Sequence, residues 1–277
     1  MDIVFLSDYF TDDFIGGAAL NDDVLIARLT AIGNNVLKIK SKNCDMHLAK
    51  SLADRAWIVS NFFLLREDVK NFITQNIRYA IIAHDYKFVQ HTNPAQYQGM
   101  IVPDGDKINV DFHNKAICVF CQSSLQKQIF DLNLPKCQTV NLSGNMWSDK
   151  ILEFMAVLAK RPKKDSFCVV KSPFPQKGVP ESIAELIKQK KDYELIHDKD
   201  PAAFLNKLAM HSGFCMIAKW PETLCRVAVE SKMCGMAALL NKMVGAAHEP
   251  WFNDKDILKI ITQKQKDIPA LIASKLA

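Results

Sequence analysis

The stretch FCMIAKWPETLCRVAVESKMCGMAALL, residues 214–240, carries the pattern that decides the fold. Its apolar run Phe214–Ala218 predicts a buried strand, and the apolar run Ala237–Leu240 predicts a second one. Between them, Thr223–Cys234 has the composition of a helix, with Gly235 as its stop signal. A strand, a helix and a second strand in this order predict a β-α-β unit and a parallel sheet.

The same alternation extends along the rest of the chain. In the N-terminal half the predicted strands and helices are Ile3–Leu6, Ala18–Ile32, Asn35–Ile39, Trp57–Val59, Glu67–Thr74, Tyr79–Ala83, Ala116–Phe120 and a helix from Ser123. In the C-terminal half they are Phe167–Val170, Pro180–Gln189, Tyr193–Ile196 and Pro201–Met210. The alternation restarts after the charged stretch Lys160–Asp165, so the chain is predicted to be α/β, with two Rossmann-like domains and a cleft between them.

The length of 277 residues is comfortable for two domains. We expect residues 1–162 to form an N-terminal Rossmann-like domain on the acceptor side of the cleft and residues 163–250 to form a second, ligand-binding one. The amphipathic pattern from Ile257 to Leu276 predicts a helix, and residues 251–277 are expected to pack back toward the first domain.

A formal net charge of +5 is a mild basic excess. It fits an anionic ligand, but charge speaks to association and not to fold. The basic residues cluster in Lys160–Lys164 and Lys188–Lys191. A solvated linker and a solvated helix end are the favoured interpretations, and a nucleic-acid patch is the alternative.

The eight cysteines follow no repeating spacing, and the pair in Cys118–Cys121 lies in an apolar run that reads as a buried strand. We therefore expect core thiols and no metal site. Met1–Leu6 lacks the basic region of a signal peptide, and no apolar run approaches the roughly 20 residues of a membrane span. The expected location is the cytoplasm, or the host cytoplasm if the chain is viral.

Two carboxylates stand out in the deciding stretch. Glu222 follows a predicted strand at the mouth of the predicted helix, and Glu230 lies two turns further along it. On one helix they would lie about 12 Å apart on nearly the same face, where they could hold two parts of an elongated ligand. The backbone N–H groups of Thr223 and Leu224 would meet a phosphate at the helix N-terminus. The alternative is a helix cap and an exposed glutamate.

The glutamate pair, an E-x7-E spacing followed by Met233-Cys234-Gly235, resembles the hallmark of the retaining GT-B glycosyltransferases, in particular glycosyltransferase family 4. The resemblance implies a nucleotide-diphosphate sugar as the donor substrate. It also implies that Glu230 holds the ribose hydroxyls of the nucleotide and that Glu222 faces the sugar.

A second match precedes the first. Residues 169–178, VVKSPFPQKG, resemble the strand, Gly-Arg, loop and Lys-Gly segment with which the family clamps the donor diphosphate. Lys171 stands where arginine is usual, Val170 replaces the glycine before it, and the loop is one residue longer. The resemblance gives Lys171 and Lys177 the role of cations that stabilise a departing diphosphate. Two cations fixed by the protein would neutralise the negative charge of such a leaving group.

Two further matches lie in the N-terminal half. Gly16-Gly17 follows the first strand, like the glycine-rich loop of the family, where glycine lets the backbone approach the donor phosphate. His84-Asp85 ends the strand Tyr79–Ala83, where the family often has a histidine near the hydroxyls of the transferred sugar. By itself, Gly16-Gly17 is also typical of a simple turn, and a His-Asp pair such as His84-Asp85 also occurs by chance.

The resemblance implies transfer of a hexosyl or pentosyl group to an acceptor hydroxyl, with retention, without metal and with no cofactor besides the donor. The acceptor stays open among a glycan, a lipid-linked sugar, a small molecule and a hydroxymethylated base in viral DNA. A nucleotide-sugar epimerase or hydrolase and a non-catalytic carbohydrate- or nucleic-acid-binding relic are the alternatives. Asp104-Gly105-Asp106 is interpreted as a turn and not as a metal-binding D-x-D motif.

Overall fold

The computed structural model describes all residues from Met1 to Ala277. The chain forms two compact units, one made of Met1–Met146 with Gln263–Ala277 and the other of Trp147–Thr262. The first boundary thus lies before Trp147 and not at residue 162. The reason is that the helix Asp149–Ala159 buries its apolar side chains in the core of the second unit.

The first unit is built around a six-stranded parallel sheet in the order β2-β1-β3-β4-β5-β6. Its strands are β1 (Asp2–Ser7), β2 (Asn35–Lys40), β3 (Ala56–Val59), β4 (Tyr79–Ile82), β5 (Val119–Cys121) and β6 (Thr139–Asn141). Its helices are α1 (Gly17–Ala31), α2 (Met46–Ser51), α3 (Glu67–Asn76), α4 (Val110–Asn114) and α5 (Ser124–Asn133).

Alternate residues of β1 enter two different cores, one on each face of this sheet. Ile3 and Phe5 pack with α1, while Val4 and Leu6 pack with α2 and α3. A parallel sheet covered on both faces requires such strands to be apolar throughout, and β1 is fully buried from Ile3 to Ser7. This is the Rossmann-like arrangement that the sequence predicts.

The second unit has a four-stranded parallel sheet in the order β10-β9-β7-β8. Its strands are β7 (Lys164–Val170), β8 (Tyr193–Ile196), β9 (His211–Met216) and β10 (Ala237–Leu240). Its helices are α6 (Asp149–Ala159), α7 (Val179–Lys188), α8 (Pro201–Leu208) and α9 (Arg226–Met233). The last helix, α10 (Ile257–Leu276), contributes its residues up to Thr262 to this unit and the remainder to the first.

The predicted fold class, α/β with two Rossmann-like domains, is therefore confirmed. Cys118 and Cys121 are buried free thiols, as predicted. The basic stretch Lys160–Lys164 is exposed, as expected, except at Lys163, which is half-buried. Lys163 Nζ donates to the carbonyl oxygens of Leu158 and Ala209 at 3.5 and 3.1 Å. None of the helices combines the length and the apolar character needed to cross a membrane.

Candidate functional site

Each sheet contains one point where successive connections leave in opposite directions. In the first unit it lies between β1 and β3, and in the second it lies between β7 and β9. In open parallel sheets ligands bind just beyond the carboxyl ends of the strands at such a point. Both points are therefore candidate ligand sites.

The loop after β7 carries both predicted lysines. Lys171 directly follows the strand, is exposed and has no ion-pair partner, while Lys177 precedes α7. Gly178 ends the loop in a left-handed conformation with a φ of 59°. A Cβ at this position would lie 1.8 Å from the carbonyl oxygen of Ile217, so only glycine allows this approach.

A buried serine joins this loop to the end of β9. Ser182 Oγ donates to the carbonyl oxygen of Gly178 and accepts from the N–H of Ile217, both at 2.8 Å. The N–H of Lys219 also donates to the carbonyl oxygen of Gln176 at 3.0 Å. The loop therefore has a defined position at the switch point of the second unit.

Lys177 and Glu222 form the central contact of the site. Lys177 Nζ lies 2.8 Å from both carboxylate oxygens of Glu222. Burial of the ammonium opposes its charge, but the Glu222 carboxylate outweighs burial and raises the pKa of Lys177. An ammonium has three N–H donors, so two serve Glu222 and a third is left for another anion.

The backbone of Glu222 is held by the segment after β10. Its N–H donates to the carbonyl oxygen of Met243 at 2.7 Å, and its carbonyl oxygen accepts from Gly245 at 3.1 Å. A single parallel bridge to Val244 results. Glu222 thus lies in an isolated bridge outside the named strands and is not part of a helix.

The helix begins three residues later than Thr223, where the sequence predicts its start. Cys225 adopts a left-handed conformation with a φ of 71°, and its carbonyl oxygen accepts from the N–H groups of Ala228 and Val229. It therefore caps α9, which starts at Arg226. Burial raises the pKa of the Cys225 thiol to about 12, so this thiol is not a nucleophile near neutral pH.

Two expectations fall with this helix start. Glu222 and Glu230 do not share one helix, because only Glu230 lies within α9. The N–H groups of Thr223 and Leu224 precede the helix and are not its N-terminal donors. Leu224 is fully buried, and its carbonyl oxygen accepts from Ala246 at 2.8 Å.

A cavity of about 160 Å³ opens at the switch point of the second unit. Its wall is apolar and comes from the ends of β7 and β9, including Val169, Phe214 and Met216. Lys171 and Lys177 line the same cavity. The cavity therefore joins an apolar wall to two cations, which suits a ligand with a flat or apolar part and an anionic part.

Glu230 has a different environment. One carboxylate oxygen, Oε1, accepts from Trp147 Nε1 at 2.9 Å and lies 3.6 Å from a guanidinium nitrogen of Arg226. The guanidinium also lies over the Trp147 ring, 4.4 Å from its centroid. Trp147 and Arg226 are not among the site residues that the sequence predicts. Arg226 could have been found from its position four residues before Glu230, one helical turn away, but no motif marks Trp147.

In the first unit, His84 belongs to a buried polar network at the carboxyl ends of β1, β3 and β4. Gln122 Nε2 donates to Nδ1 of His84 at 2.9 Å, which leaves the proton on Nε2 to be donated to Asp22 at 2.7 Å. Asp22 also accepts from Ser7 and Ser60 at 3.4 and 2.5 Å. Both ring nitrogens of His84 are thus engaged, and a sugar hydroxyl would have to displace Gln122 or Asp22.

The glycine pair lies where the chain enters α1. Gly17 is the first residue of the helix, and Gly16 precedes it with an extended φ of −143°, which any residue adopts. A Cβ on Gly16 would lie 2.7 Å from the ring of Phe14, which is 63% exposed and able to move. The backbone conformation of Gly16 therefore does not require glycine.

No group of three or more His, Cys, Asp or Glu side chains is arranged to hold a metal ion. Residues Asp104–Asp106 form a single 3-10 turn, in which Asp104 pairs with Lys107 at 2.7 Å.

No protein-family model and no curated protein sequence matches the chain. Solved structures do share its fold. The trehalose-6-phosphate synthase OtsA has a TM-score of 0.66 at 11% identity, over 100% of this chain and 99% of its own. A sucrose-phosphate synthase from Thermosynechococcus elongatus has a TM-score of 0.54 at 10% identity, over 99% and 96%.

An alpha-glucosyltransferase in complex with UDP and a 13-mer DNA containing an HMU base is also similar, with a TM-score of 0.53 at 11% identity over 99% of this chain and 92% of its own. At such low identity the likeness shows the fold alone. The chain has the GT-B fold of two Rossmann-like domains.

Proposed function

We propose that this protein is a glycosyltransferase that moves a sugar from a nucleotide-diphosphate sugar to an acceptor hydroxyl. The observation that carries the proposal is the cavity at the switch point of the second unit, which Lys171 and Lys177 line and beside which Glu222 pairs with Lys177. Proteins with this fold include an alpha-glucosyltransferase that holds UDP, which supports the same donor class here.

The charges of the site favour a diphosphate. Glu222 neutralises Lys177, whereas Lys171 has no acidic partner, so the cluster keeps a net positive charge. The third N–H of Lys177 and the ammonium of Lys171 would bind the phosphates and stabilise the charge that builds on the leaving group. Metal-independent transfer with retention is the finer form of this proposal, and no cofactor besides the donor enters it.

The other predicted residues complete the proposal. Glu230 would accept hydrogen bonds from the ribose hydroxyls, and Glu222 would face the transferred sugar. His84 stays a predicted contact of the sugar, through a rearrangement of its network. Gly16 and Gly17 stay predicted donor contacts, and Thr223 and Leu224 stay so only as residues of the segment before α9 and not as N-terminal residues of a helix.

The acceptor class stays open among glycans, lipid-linked sugars, small molecules and hydroxymethylated DNA bases. If duplex DNA is the acceptor, its binding must weaken steeply with salt, because bound phosphates release counterions. Filter binding at about 50 and about 200 mM salt separates this case from the others. A DNA-binding protein that makes several phosphate contacts loses affinity for DNA by about 10³–10⁵-fold over this range.

The first test is thermal unfolding with UDP-glucose, UDP-galactose, GDP-mannose and ADP-glucose. A ligand that binds the folded state alone stabilises it by about 2.7 kcal/mol at one hundred times its dissociation constant. We expect one donor to raise the Tm of the wild-type protein and to lose most of this effect with Lys177→Ala. A Tm unchanged by every donor and by UDP, GDP and ADP would contradict the proposal.

A further inference from the structure

We infer that Trp147 is a positioning residue for Glu230 and that, through it, the donor site selects ribonucleotides over 2′-deoxyribonucleotides. This inference rests on the proposed function, in which Glu230 accepts from the ribose. Its starting point is the 2.9 Å hydrogen bond from Trp147 Nε1 to Glu230 Oε1. This contact fixes one carboxylate oxygen of Glu230.

The position of Trp147 is set by its surroundings. It lies two residues before α6, and α6 packs against α9, the helix that carries Glu230. Trp147 is 1% exposed and shares a core with Leu152 of α6 and Ala228 of α9. The indole therefore holds the carboxylate from a buried position in the core of the unit.

The chemistry of an indole suits this task. Its Nε1–H donates and cannot accept, so the carboxylate it holds stays an acceptor with Oε2 still available. Arg226 adds a positive charge 3.6 Å from the same oxygen, and its guanidinium stacks on the Trp147 ring. Oε1 is held by Trp147 and Arg226, so Oε2 is left to accept hydrogen bonds from a ligand. The two hydroxyl groups of a ribose are donors of the required kind.

A purely structural role would give a different result from a positioning role. Trp147→Phe keeps an aromatic ring under Arg226, removes the N–H donor and also leaves a cavity in the core, for which Trp251→Phe below is the control. If Trp147 merely fills the core, its loss weakens all ligands equally through stability. If it orients Glu230, its loss weakens the ligand that carries both ribose hydroxyls more than the 2′-deoxy ligand, which keeps only the 3′-hydroxyl.

The test is calorimetric titration of wild-type protein, Trp147→Phe, Glu230→Ala and the double variant. The ligands are UDP, ADP and GDP with their 2′-deoxy counterparts. We expect Trp147→Phe to raise the Kd of the ribonucleotide that binds best about tenfold, the loss of a hydrogen bond to a charged group. The Kd of its 2′-deoxy form, which keeps only the 3′-hydroxyl, is expected to rise by a clearly smaller factor. In the Glu230→Ala background the same change is expected to have no further effect.

Trp251→Phe, which changes another buried tryptophan of this unit, is the matched control and is expected to leave both constants unchanged. If Trp147→Phe does not fold, benzothienylalanine at position 147 replaces the N–H by sulfur in the same shape. Equal weakening of both nucleotides, or effects that add in the double variant, overturns the inference alone. Absence of binding by every wild-type nucleotide pair overturns the proposed donor site as well.

Discussion

At the scale of single residues, the candidate site depends on one glycine. The left-handed Gly178 lets the loop after β7 turn into α7 directly against the carbonyl oxygen of Ile217. Lys177 is the residue before it, so the ammonium reaches Glu222 only if this turn is kept. Lys177 and Gly178 therefore act together, because the glycine fixes the turn and the lysine supplies the charge.

Gly178→Ala should destabilise the second unit strongly. The left-handed conformation costs an alanine about 1–2 kcal/mol, and the 1.8 Å approach to a backbone oxygen adds to it. Gly235→Ala is the matched control, because Gly235 has a φ of 74° but its nearest neighbour would be at 3.4 Å. In urea, the free energy of unfolding should fall by about 3 kcal/mol or more for Gly178→Ala and by about 1 kcal/mol for the control. Equal losses would mean that the close approach is not real.

The sequence predicts some site residues and not others for physical reasons. Lys171, Lys177 and Glu222 could be predicted because they follow apolar strands, whose carboxyl ends meet at one edge of a sheet. Trp147 and the engaged ring of His84 could not. Their roles depend on which distant side chains pack beside them, and no local pattern carries that information.

At the scale of elements, two strands were predicted to the residue, whereas β6 was not predicted and β9 starts three residues before the predicted Phe214. The strands Tyr193–Ile196 and Ala237–Leu240 have the predicted bounds, since short apolar runs between turn residues leave little choice. The start of α9 was predicted three residues early. The left-handed Cys225 ends the preceding segment, and a non-glycine residue in that conformation has no sequence signal. Helix α6 was missed although its cap, Ser148, is a helix start signal.

The basic stretch between α6 and β7 should stabilise the fold. Lys163 Nζ donates to carbonyl oxygens at the ends of α6 and α8, where a cation also meets the negative ends of two helix dipoles. Lys163→Ala should lower the free energy of unfolding by about 1–2 kcal/mol in a urea titration. Lys160→Ala, which changes an exposed lysine of the same stretch, is the control. An unchanged midpoint for Lys163→Ala would show that these two hydrogen bonds do not stabilise the fold.

Helix α4 carries a buried histidine, His113, whose titration affects the stability of the fold. His113 is surrounded by the rings of Phe62, Phe88 and Phe130, and its Nδ1 donates to the carbonyl oxygen of Asn109 at 2.7 Å. Burial lowers the pKa of His113 to about 4. Below the unfolded pKa of about 6.5 the unfolded state binds a proton that the folded state excludes, so stability falls as the pH falls from 6.5 toward 4.

We expect His113 to lower the free energy of unfolding by about 2 kcal/mol when the pH falls from 7 to 5. Urea unfolding of wild-type protein and His113→Asn at both values isolates it, because asparagine keeps a donor near the position of Nδ1 and does not titrate. The variant should show a pH dependence smaller by that amount. The same pH dependence in both proteins would show that His113 is protonated in the folded state.

At the scale of the whole molecule, two Rossmann-like domains could be predicted, but their boundary could not. The alternation of strands and helices restarts at β7, yet Trp147 and α6 already belong to the second unit. A helix that precedes the first strand of a unit looks, in sequence, like the last helix of the unit before it. Only the packing of Leu152 and Met155 into the second core assigns it.

The central claim is that the second unit holds a nucleotide-sugar donor through Lys177, Glu222 and Glu230. Steady-state kinetics separate their roles. Lys177→Ala removes a cation that matters most as charge builds on the leaving diphosphate, so kcat should fall about 10²–10³-fold. Glu222→Gln should also lower kcat, because the proposed function places its carboxylate against the reacting sugar. Glu230→Ala should mainly raise the donor KM, by a factor equivalent to about 1–3 kcal/mol.

The control is Lys219→Ala, a lysine beside the same loop that pairs with Glu181 at 3.4 Å. It should retain wild-type constants, and circular dichroism should show all four variants to be folded. With the donor found in the thermal-shift panel, the account predicts a lowered kcat for Lys177→Ala and Glu222→Gln and a raised donor KM for Glu230→Ala. Wild-type turnover by both Lys177→Ala and Glu222→Gln would contradict the account.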